Sequence, residues 1–161
     1  MSIKLNNCLV IGISSRALFD LREEDRVYEE QGLEAYRRYQ LENEDKLLKP
    51  GTGFALVKAI LRLNEWGGAR RAEVVIMSRN STETSLRIFN AIDHYGLDIN
   101  RAALSGGAPL APYLRAFSVD LFLSQYEDDV QAALAGGIGA AILYDHAGNA
   151  DEDIGQIRIA F

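Results

Sequence analysis

The chain has 161 residues, 48% of them apolar and 25% charged, and its formal net charge is −6 at pH 7. These proportions are typical of a globular domain large enough to bury a core, and they exclude a disordered chain. The acidic balance argues against a nucleic-acid partner, and no segment reaches the roughly 18 apolar residues that a membrane-spanning helix needs.

The one cysteine, Cys8, excludes a disulfide framework within the chain, and we expect it to be a buried strand residue. The first residues lack the basic start and the long apolar core of a secretory signal peptide. Cys and His residues at metal-ligand spacing are also missing from the sequence. Together these features indicate a cytoplasmic protein.

Short apolar runs rich in β-branched residues alternate with helical segments along nearly the whole chain. The predicted strands are Cys8–Ile13, Glu73–Met77, Ala102–Ser105, Val119–Leu123, Ala140–Tyr144 and Gly155–Phe161. The predicted helices are 23–44 with a break near Gly32, 54–66, 80–95, 109–117 and 127–135. This alternation is the pattern of an α/β fold, a three-layer parallel sheet with helices on both faces.

Two of these helices carry predictions about their ends and buried faces. Asn80 is a candidate N-cap with Glu83 three residues later, and Gly96 suits the left-handed position after the helix end. Apolar spacing predicts their buried faces, which are Leu86, Phe89 and Ile92 in one helix and Tyr126, Val130 and Leu134 in the other. We expect the Tyr36–Tyr39 pair and Trp66 to pack in the fold rather than form a base-stacking platform.

The charged helical region 23–44 is too long for a plain crossover after the first strand. We interpret it as a small helical cap insertion, about residues 22–50, near the carboxyl ends of the strands, where such folds bind ligands. The α/β domain is expected to cover residues 1–154. Residues 155–161 alternate like a strand, and we expect them to lead into a further part of the protein.

Three strand ends carry polar residues that suit an oxyanion, and a doubly wound sheet would bring them into one crevice. Hydroxyls, glycine amides and helix N-termini bind phosphate, and arginine adds charge in a fork geometry. The candidate phosphate- or nucleotide-binding residues are Ser14, Ser15, Arg16, Ser78, Arg79, Asn80, Gly106 and Gly107. The alternative is that Ser and Asn cap helices, Gly ends turns and Arg faces water, and the sequence leaves both interpretations open.

The acidic run Glu127–Asp129 also allows two interpretations. Carboxylates bind metal ions, but in the first turn of a helix they favour the dipole, and consecutive residues point in different directions. We favour the dipole and assign no metal ligand. The end of the first strand, Ile13 to Arg16, presents no carboxylate, and Walker, G-x-G-x-x-G and G-x-S-x-G motifs are missing, so we assign no catalytic residue.

Several stretches of the sequence resemble, in the same order, segments of a known protein family. They are 14–19, 28–32, 36–40, 78–81, 89–92, 94–97 and 105–107. From about Leu9 to the end, the chain resembles the cytosolic 5′-nucleotidase type I family, which is related to the haloacid dehalogenase-like phosphatases. The resemblance implies a haloacid dehalogenase-like, Rossmann-like fold. It also implies hydrolysis of the 5′-phosphate of nucleoside monophosphates through Mg²⁺ and an aspartyl-phosphate intermediate.

Members of that family are longer than this chain and resemble two similar halves, with an Asp-x-Asp motif opening the second. On that pattern, Ile13 and Ser15 stand in place of the nucleophile and acid/base aspartates. Leu110 stands in place of the phosphate-binding lysine, and Leu123–Ser124 in place of the metal-binding acidic pair. Ser78 alone keeps the family's hydroxyl position. The resemblance therefore implies the amino-terminal, non-catalytic half.

The expected protein is a phosphoric monoester hydrolase of nucleotide metabolism, with this chain inactive by itself. Mg²⁺ is implied for the complete enzyme and is not expected in this chain. Expected partners are a nucleoside monophosphate, the missing carboxyl-terminal catalytic half, and a second copy paired through the terminal strand. The alternative is a stand-alone module that binds a nucleotide or phosphate, or drives oligomerisation, without catalysis.

Overall fold

The computed structural model describes residues 8–144. Its strands are β1 (Leu9–Ser14), β2 (Ala72–Ser78), β3 (Arg101–Leu104), β4 (Leu121–Ser124) and β5 (Gly139–Ile142). Its helices are α1 (Ser15–Leu18), α2 (Arg22–Glu42), α3 (Phe54–Leu61), α4 (Leu86–His94), α5 (Ala111–Ala116) and α6 (Glu127–Ala135), with a 3₁₀ turn at Arg62–Trp66. The predicted loop 145–153 and terminal strand 155–161 lie outside the described residues.

The five strands form one sheet in the order β3-β2-β1-β4-β5, and every pairing is parallel. β1 lies at the centre, where Ile13 is opposite Ile76 on one side and Leu123 on the other. The chain moves outward from β1 through β2 and β3, then crosses back to β4. The carboxyl ends of β1 and β4 therefore flank the point at which strand order reverses, which is where such sheets bind ligands.

Alternation along the strands divides the core into two layers. Ile11, Ile13 and Ile76 pack under α1, α3 and α4, whereas Met77 and Phe122 pack under α5 and α6. Each fully buried side chain of this size contributes about 1.5–3 kcal/mol through removal of apolar surface from water. The predicted three-layer architecture, with helices on both faces of a parallel sheet, is confirmed.

Residues 20–49 form a segment whose two ends lie side by side next to the sheet. Phe19 and Pro50 form an isolated antiparallel bridge, and the Asp20 amide donates to the Lys49 carbonyl at 2.9 Å. Gly51 packs so closely here that a Cβ would lie 2.8 Å from the Phe19 carbonyl carbon. The segment between consists mainly of α2, which lies beside the carboxyl ends of the strands.

The predicted start of α4 is wrong. The helix begins at Leu86, Ser85 occupies the N-cap position, and the segment from Ser81 to Ser85 is irregular. The Ser85 hydroxyl donates to the Ser81 carbonyl at 2.8 Å, and the Thr84 hydroxyl donates to the same carbonyl at 3.2 Å. Such local side-chain bonds offer the backbone an alternative to helix, so Asn80 is not the cap. The predicted left-handed Gly96 is confirmed, with φ 61°.

The predicted buried faces of α4 and α6 are also largely wrong. Leu86, Phe89, Tyr126 and Leu134 are all more than a third exposed, and only Ile92 and Val130 are buried as expected. The buried positions of α4 are Arg87, Ile88, Ala91 and Ile92, and those of α6 are Asp129, Val130 and Ala133. Each helix is thus rotated so that one charged residue faces inward.

Two smaller expectations also differ from the structure. Cys8 is only partly buried and precedes β1 rather than lying within it. Trp66 is 73% exposed and lies beside the Arg71 guanidinium, 6.0 Å from the ring centroid, so it is not a core residue. Tyr36 does pack, being 8% exposed. Across residues 8–144, no helix is both long enough and apolar enough to cross a bilayer.

Candidate functional site

A cleft of about 460 Å³ lies at the carboxyl ends of the strands, between the sheet and α2. This volume falls within the range of about 300–1,000 Å³ found for small-molecule sites. All eight predicted site residues line it, together with residues of α2 and α6. The lining residues outside the prediction include Asp25, Tyr28, Leu33, Tyr36, Arg37, Leu110, Tyr126, Asp128 and Asp129.

Serine hydroxyls form the floor of the cleft at the ends of β1 and β2. The Ser15 and Ser78 hydroxyl oxygens are 3.2 Å apart, and both residues are buried. Ser14 caps α1, since its hydroxyl accepts from the Ala17 amide at 3.3 Å. The Asn80 amide donates to the Ser78 hydroxyl at 3.1 Å, which turns the chain sharply after β2. The floor is therefore neutral and polar.

The two glycines after β3 form backbone hydrogen bonds to the neighbouring loop. The Gly106 amide donates to the Asn80 carbonyl at 3.2 Å, and the Gly107 amide to the Arg79 carbonyl at 2.6 Å. These bonds join the loop after β3 to the loop after β2. Gly106 and Gly107 therefore shape the cleft wall, and their amides are already used within the protein.

Arg79 faces the cleft beside α6. It forms an ion pair with Asp129, whose side chain is 4% exposed, whereas the Arg79 side chain is 49% exposed. Asp129 lies in the first turn of α6 together with Glu127 and Asp128. The guanidinium thus keeps part of its surface open to the cleft, while its carboxylate partner is held in the wall.

Arg16 bridges α2 and α6. Its guanidinium donates to the Tyr126 hydroxyl at 2.7 Å and lies 2.6 Å from Asp25 Oδ2. That carboxylate oxygen is buried and receives no hydrogen bond of good angle, so its contact with Arg16 is electrostatic rather than a directed hydrogen bond. Both cleft arginines named in the sequence prediction are therefore already paired with an aspartate.

Asp25 has an altered acidity. Burial raises the pKa of its carboxyl group from 3.8 to about 6, nearby Glu24, Glu29 and Asp20 add to the rise, and Arg16 opposes it. Because the pKa is higher in the folded state, the folded protein holds this proton more tightly than the unfolded chain. The resulting stabilisation is complete below about pH 4 and is lost as the pH rises through 6.

Asp25→Asn should therefore have a higher melting temperature than the unmodified protein at pH 7–8, and this advantage should vanish near pH 4. Thermal unfolding followed by circular dichroism between pH 4 and 8 measures the difference. Asp45→Asn, at an exposed position outside the cleft, controls for general loss of negative charge. If the difference in melting temperature between Asp25→Asn and the unmodified protein does not change with pH, the raised pKa of Asp25 is wrong.

The α2 side of the cleft was largely missed by sequence reasoning. Tyr28 and Tyr36 form an edge-to-face pair with ring centroids 5.8 Å apart, and Leu33 lies beside them in the cleft lining. The Tyr36 hydroxyl accepts from Gln40 at 3.1 Å and is within hydrogen-bonding reach of Asn80 and Thr84. The available signal was the pair of aromatic side chains, Tyr28 and Tyr36, on either side of Gly32 in a largely charged helix.

The residues present do not fit a Mg²⁺ site. Among residues 8–144, no three His, Cys, Asp or Glu side chains lie close enough together to hold a metal ion. Asp25 and Asp129 are paired with arginines, and the end of β4 carries Ser124, whose hydroxyl accepts from the Tyr126 amide at 3.1 Å. Glu127, Asp128 and Asp129 lie in the first turn of α6, where carboxylates stabilise a helix start.

The strand order, the two helical layers and the cleft at the strand ends define a Rossmann-like, haloacid dehalogenase-like α/β protein. Residues 1–161 match the model of the 5′-nucleotidase family. The chain is also 35% identical over 168 aligned residues to cytosolic 5′-nucleotidase 1B of Homo sapiens, a match covering 98% of the chain and 27% of that protein. The chain therefore belongs to the 5′-nucleotidase family, as the resemblance predicted, and it spans about a quarter of this relative's length.

Proposed function

We propose that this chain is the non-catalytic amino-terminal half of a nucleoside-monophosphate 5′-nucleotidase, and that its cleft holds a nucleotide without cleaving it. The family match supports the reaction class, and the partial coverage of the human relative supports a further part of the protein. The expected partners are a nucleoside monophosphate and a carboxyl-terminal catalytic half. The relative's description as cytosolic supports a cytosolic location.

The observation that carries this proposal is the chemistry at the end of β1. Ile13 is fully buried in the sheet, and the next two residues present hydroxyls to the cleft. Nucleophilic catalysis at phosphorus through an aspartyl intermediate needs a carboxylate at such a position, and a serine nucleophile needs an adjacent base. The polar neighbour of the Ser15 hydroxyl is another hydroxyl, that of Ser78, which is not a base.

The same cleft has the chemistry to bind a phosphate group. Arg16 and Arg79 supply positive charge on two sides of a floor of serine hydroxyls. Charge-assisted hydrogen bonds from arginine to phosphate are about twice as strong as neutral ones. Each arginine is shared with a carboxylate, so an anion would compete with Asp25 and Asp129 for it. We therefore expect moderate affinity for a monophosphate.

Binding and hydrolysis are tested together on the purified chain. AMP with Mg²⁺ should release no inorganic phosphate above background, whereas calorimetry should detect AMP binding. Arg79→Ala should weaken binding by about 10- to 100-fold, the value of a charged hydrogen bond. Asp129→Asn should change affinity in the opposite direction, because it frees Arg79 and removes a competing anion.

Three results would contradict the proposal or a part of it. Phosphate release at a rate typical of an enzyme would show that the chain is catalytic. Absence of binding heat with AMP would remove the nucleotide-binding role and leave a packing role for this half. If Arg79→Ala and Asp129→Asn shifted affinity in the same direction, the phosphate would not lie beside Arg79.

A second candidate function is a stand-alone nucleotide-binding module. It is favoured by one observation, namely that two arginines, Arg16 and Arg79, and the hydroxyls of Ser15 and Ser78 already lie together in one cleft of this chain. Co-expression with a separately encoded carboxyl-terminal half distinguishes the two. A stable complex supports the first function, whereas AMP binding by an isolated chain that forms no such complex supports the second.

A further inference from the structure

We infer that the α2 side of the cleft is the subsite for the nucleotide base, with Tyr28 as its main contact. This inference rests on the proposed nucleotide binding. It states which part of the nucleotide contacts each wall of the cleft. We call Tyr28, Leu33 and Tyr36 the cap wall. It stands across the cleft from the arginines and serine hydroxyls at the strand ends.

The backbone of α2 brings the cap wall together. Tyr28 and Tyr36 are eight residues apart, which in a continuous helix would separate them by about 12 Å along the axis. Gly32 interrupts the helix with φ 82° and ψ −178°, and the two rings come within 5.8 Å. The kink therefore folds the two ends of α2 toward each other and places both tyrosines on the cleft.

The cap wall leaves apolar surface open to the cleft. Tyr28 is 52% exposed and Leu33 is 49% exposed, although both line the cleft. Tyr36 supports them from behind, since it is 8% exposed and its hydroxyl is bonded to Gln40. Tyr36 thus fixes the position of the Tyr28 ring without needing the ligand.

The distribution of chemistry across the cleft matches one class of ligand. The strand-end wall offers cationic and hydroxyl groups, and the cap wall offers an aromatic ring and an aliphatic side chain. The two charged residues of α2 in the lining, Asp25 and Arg37, are paired with Arg16 and Glu34. A nucleoside monophosphate has a phosphate at one end and a flat aromatic base at the other. Stacking on an aromatic side chain accepts any base, because every base has a π-face. The cap wall should therefore raise affinity for nucleotides over sugar phosphates.

The test compares AMP with ribose 5-phosphate, which has the same phosphate and sugar but no base. Tyr28→Ala should weaken AMP binding by roughly 5- to 150-fold, the range found for loss of one base-stacking side chain, and leave ribose 5-phosphate unchanged. Tyr28→Phe should retain AMP affinity because the ring remains. Tyr113→Ala removes an exposed tyrosine that does not line the cleft and should change neither ligand.

The outcomes separate this inference from the function on which it rests. If the unmodified chain binds AMP and ribose 5-phosphate equally and Tyr28→Ala has no effect, nucleotide phosphate binding stands and the base subsite is wrong. If the unmodified chain binds neither ligand, the proposed function and the subsite both fail. If Tyr28→Ala weakens both ligands equally, the residue acts on the shape of the whole cleft, and the base subsite is again wrong.

Discussion

Arg87→Met should destabilise the folded protein by about 3–5 kcal/mol, because it leaves Glu24 buried as an unpaired charge. The Arg87 and Glu24 side chains are 7% and 5% exposed and form an ion pair. Native proteins have about 5–15 kcal/mol of stability in total, so the loss would be a large share of it. Urea unfolding at pH 7, followed by circular dichroism, measures the change.

The reason for so large an effect is that Arg87 joins α4 to both ends of α2. Its Nη1 contacts Glu24 before the kink and lies 3.4 Å from Gln40 Oε1 after it. Its Nε donates to the Lys46 carbonyl at 3.1 Å, and its guanidinium lies 5.9 Å from the Tyr39 ring centroid. One side chain therefore holds α2 against α4 and the α/β core.

Two further variants make the Arg87 prediction specific. Arg87→Met combined with Glu24→Leu should recover much of the lost stability, because a buried ion pair replaced by apolar groups is often neutral. Arg37→Met breaks an exposed pair with Glu34, whose side chain is 81% exposed, and should cost less than about 1 kcal/mol. An Arg87→Met cost as small as that of Arg37→Met would show that the buried pair does not anchor α2.

Gly32→Ala should destabilise the protein by about 1–3 kcal/mol and also weaken AMP binding. The backbone at Gly32, with φ 82° and ψ −178°, lies in a region that only glycine adopts without strain. An added Cβ would meet no neighbouring atom within 4 Å, so the cost comes from the backbone and not from a clash. Relief of that strain would straighten α2 and separate Tyr28 from Tyr36.

Gly67→Ala is the matched control for this prediction. Gly67 has φ 77° and ψ 160°, and an added Cβ there would also meet nothing within 4 Å, but the residue does not line the cleft. The two variants should lose similar amounts of stability in urea unfolding. Only Gly32→Ala should lose AMP affinity in calorimetry and tyrosine signal in near-ultraviolet circular dichroism. Equal AMP affinity in both variants would show that the kink at Gly32 does not affect nucleotide binding.

The parallel sheet could be predicted because its signal is local. The five described strands lie within two residues of their predicted ends, and the break at Gly32 and the left-handed Gly96 were also predicted. Buried parallel strands read as continuous apolar runs, and glycine marks positions that other residues avoid. The alternation with helices indicated parallel strands whose carboxyl ends lie at one edge of the sheet, so the eight strand-end residues could be expected at one cleft.

The helix faces could not be predicted in the same way. Apolar spacing favoured Leu86 and Phe89 as the buried face of α4. Arg87 faces inward instead, because it forms a buried ion pair with Glu24 of α2, which lies 63 residues away along the chain. Similarly, Asp129 faces inward on α6 because Arg79 lies beside it at the end of β2. A charged residue with a buried partner overrides the hydrophobic pattern of a short helix, and that partner cannot be read from the helix itself.

The α/β fold, the family and the lack of a carboxylate at the end of β1 could be read from the amino-acid order alone, since all three depend on residue identity and local order. The pairing of the charges in the cleft and the position of its aromatic wall depend on long-range contacts of the folded chain. Arg16 and Arg79 acquired aspartate partners from α2 and α6, and the kink in α2 placed Tyr28 on the cleft. These contacts join residues far apart in the chain, and ion pairing and stacking form only after the core has brought them together.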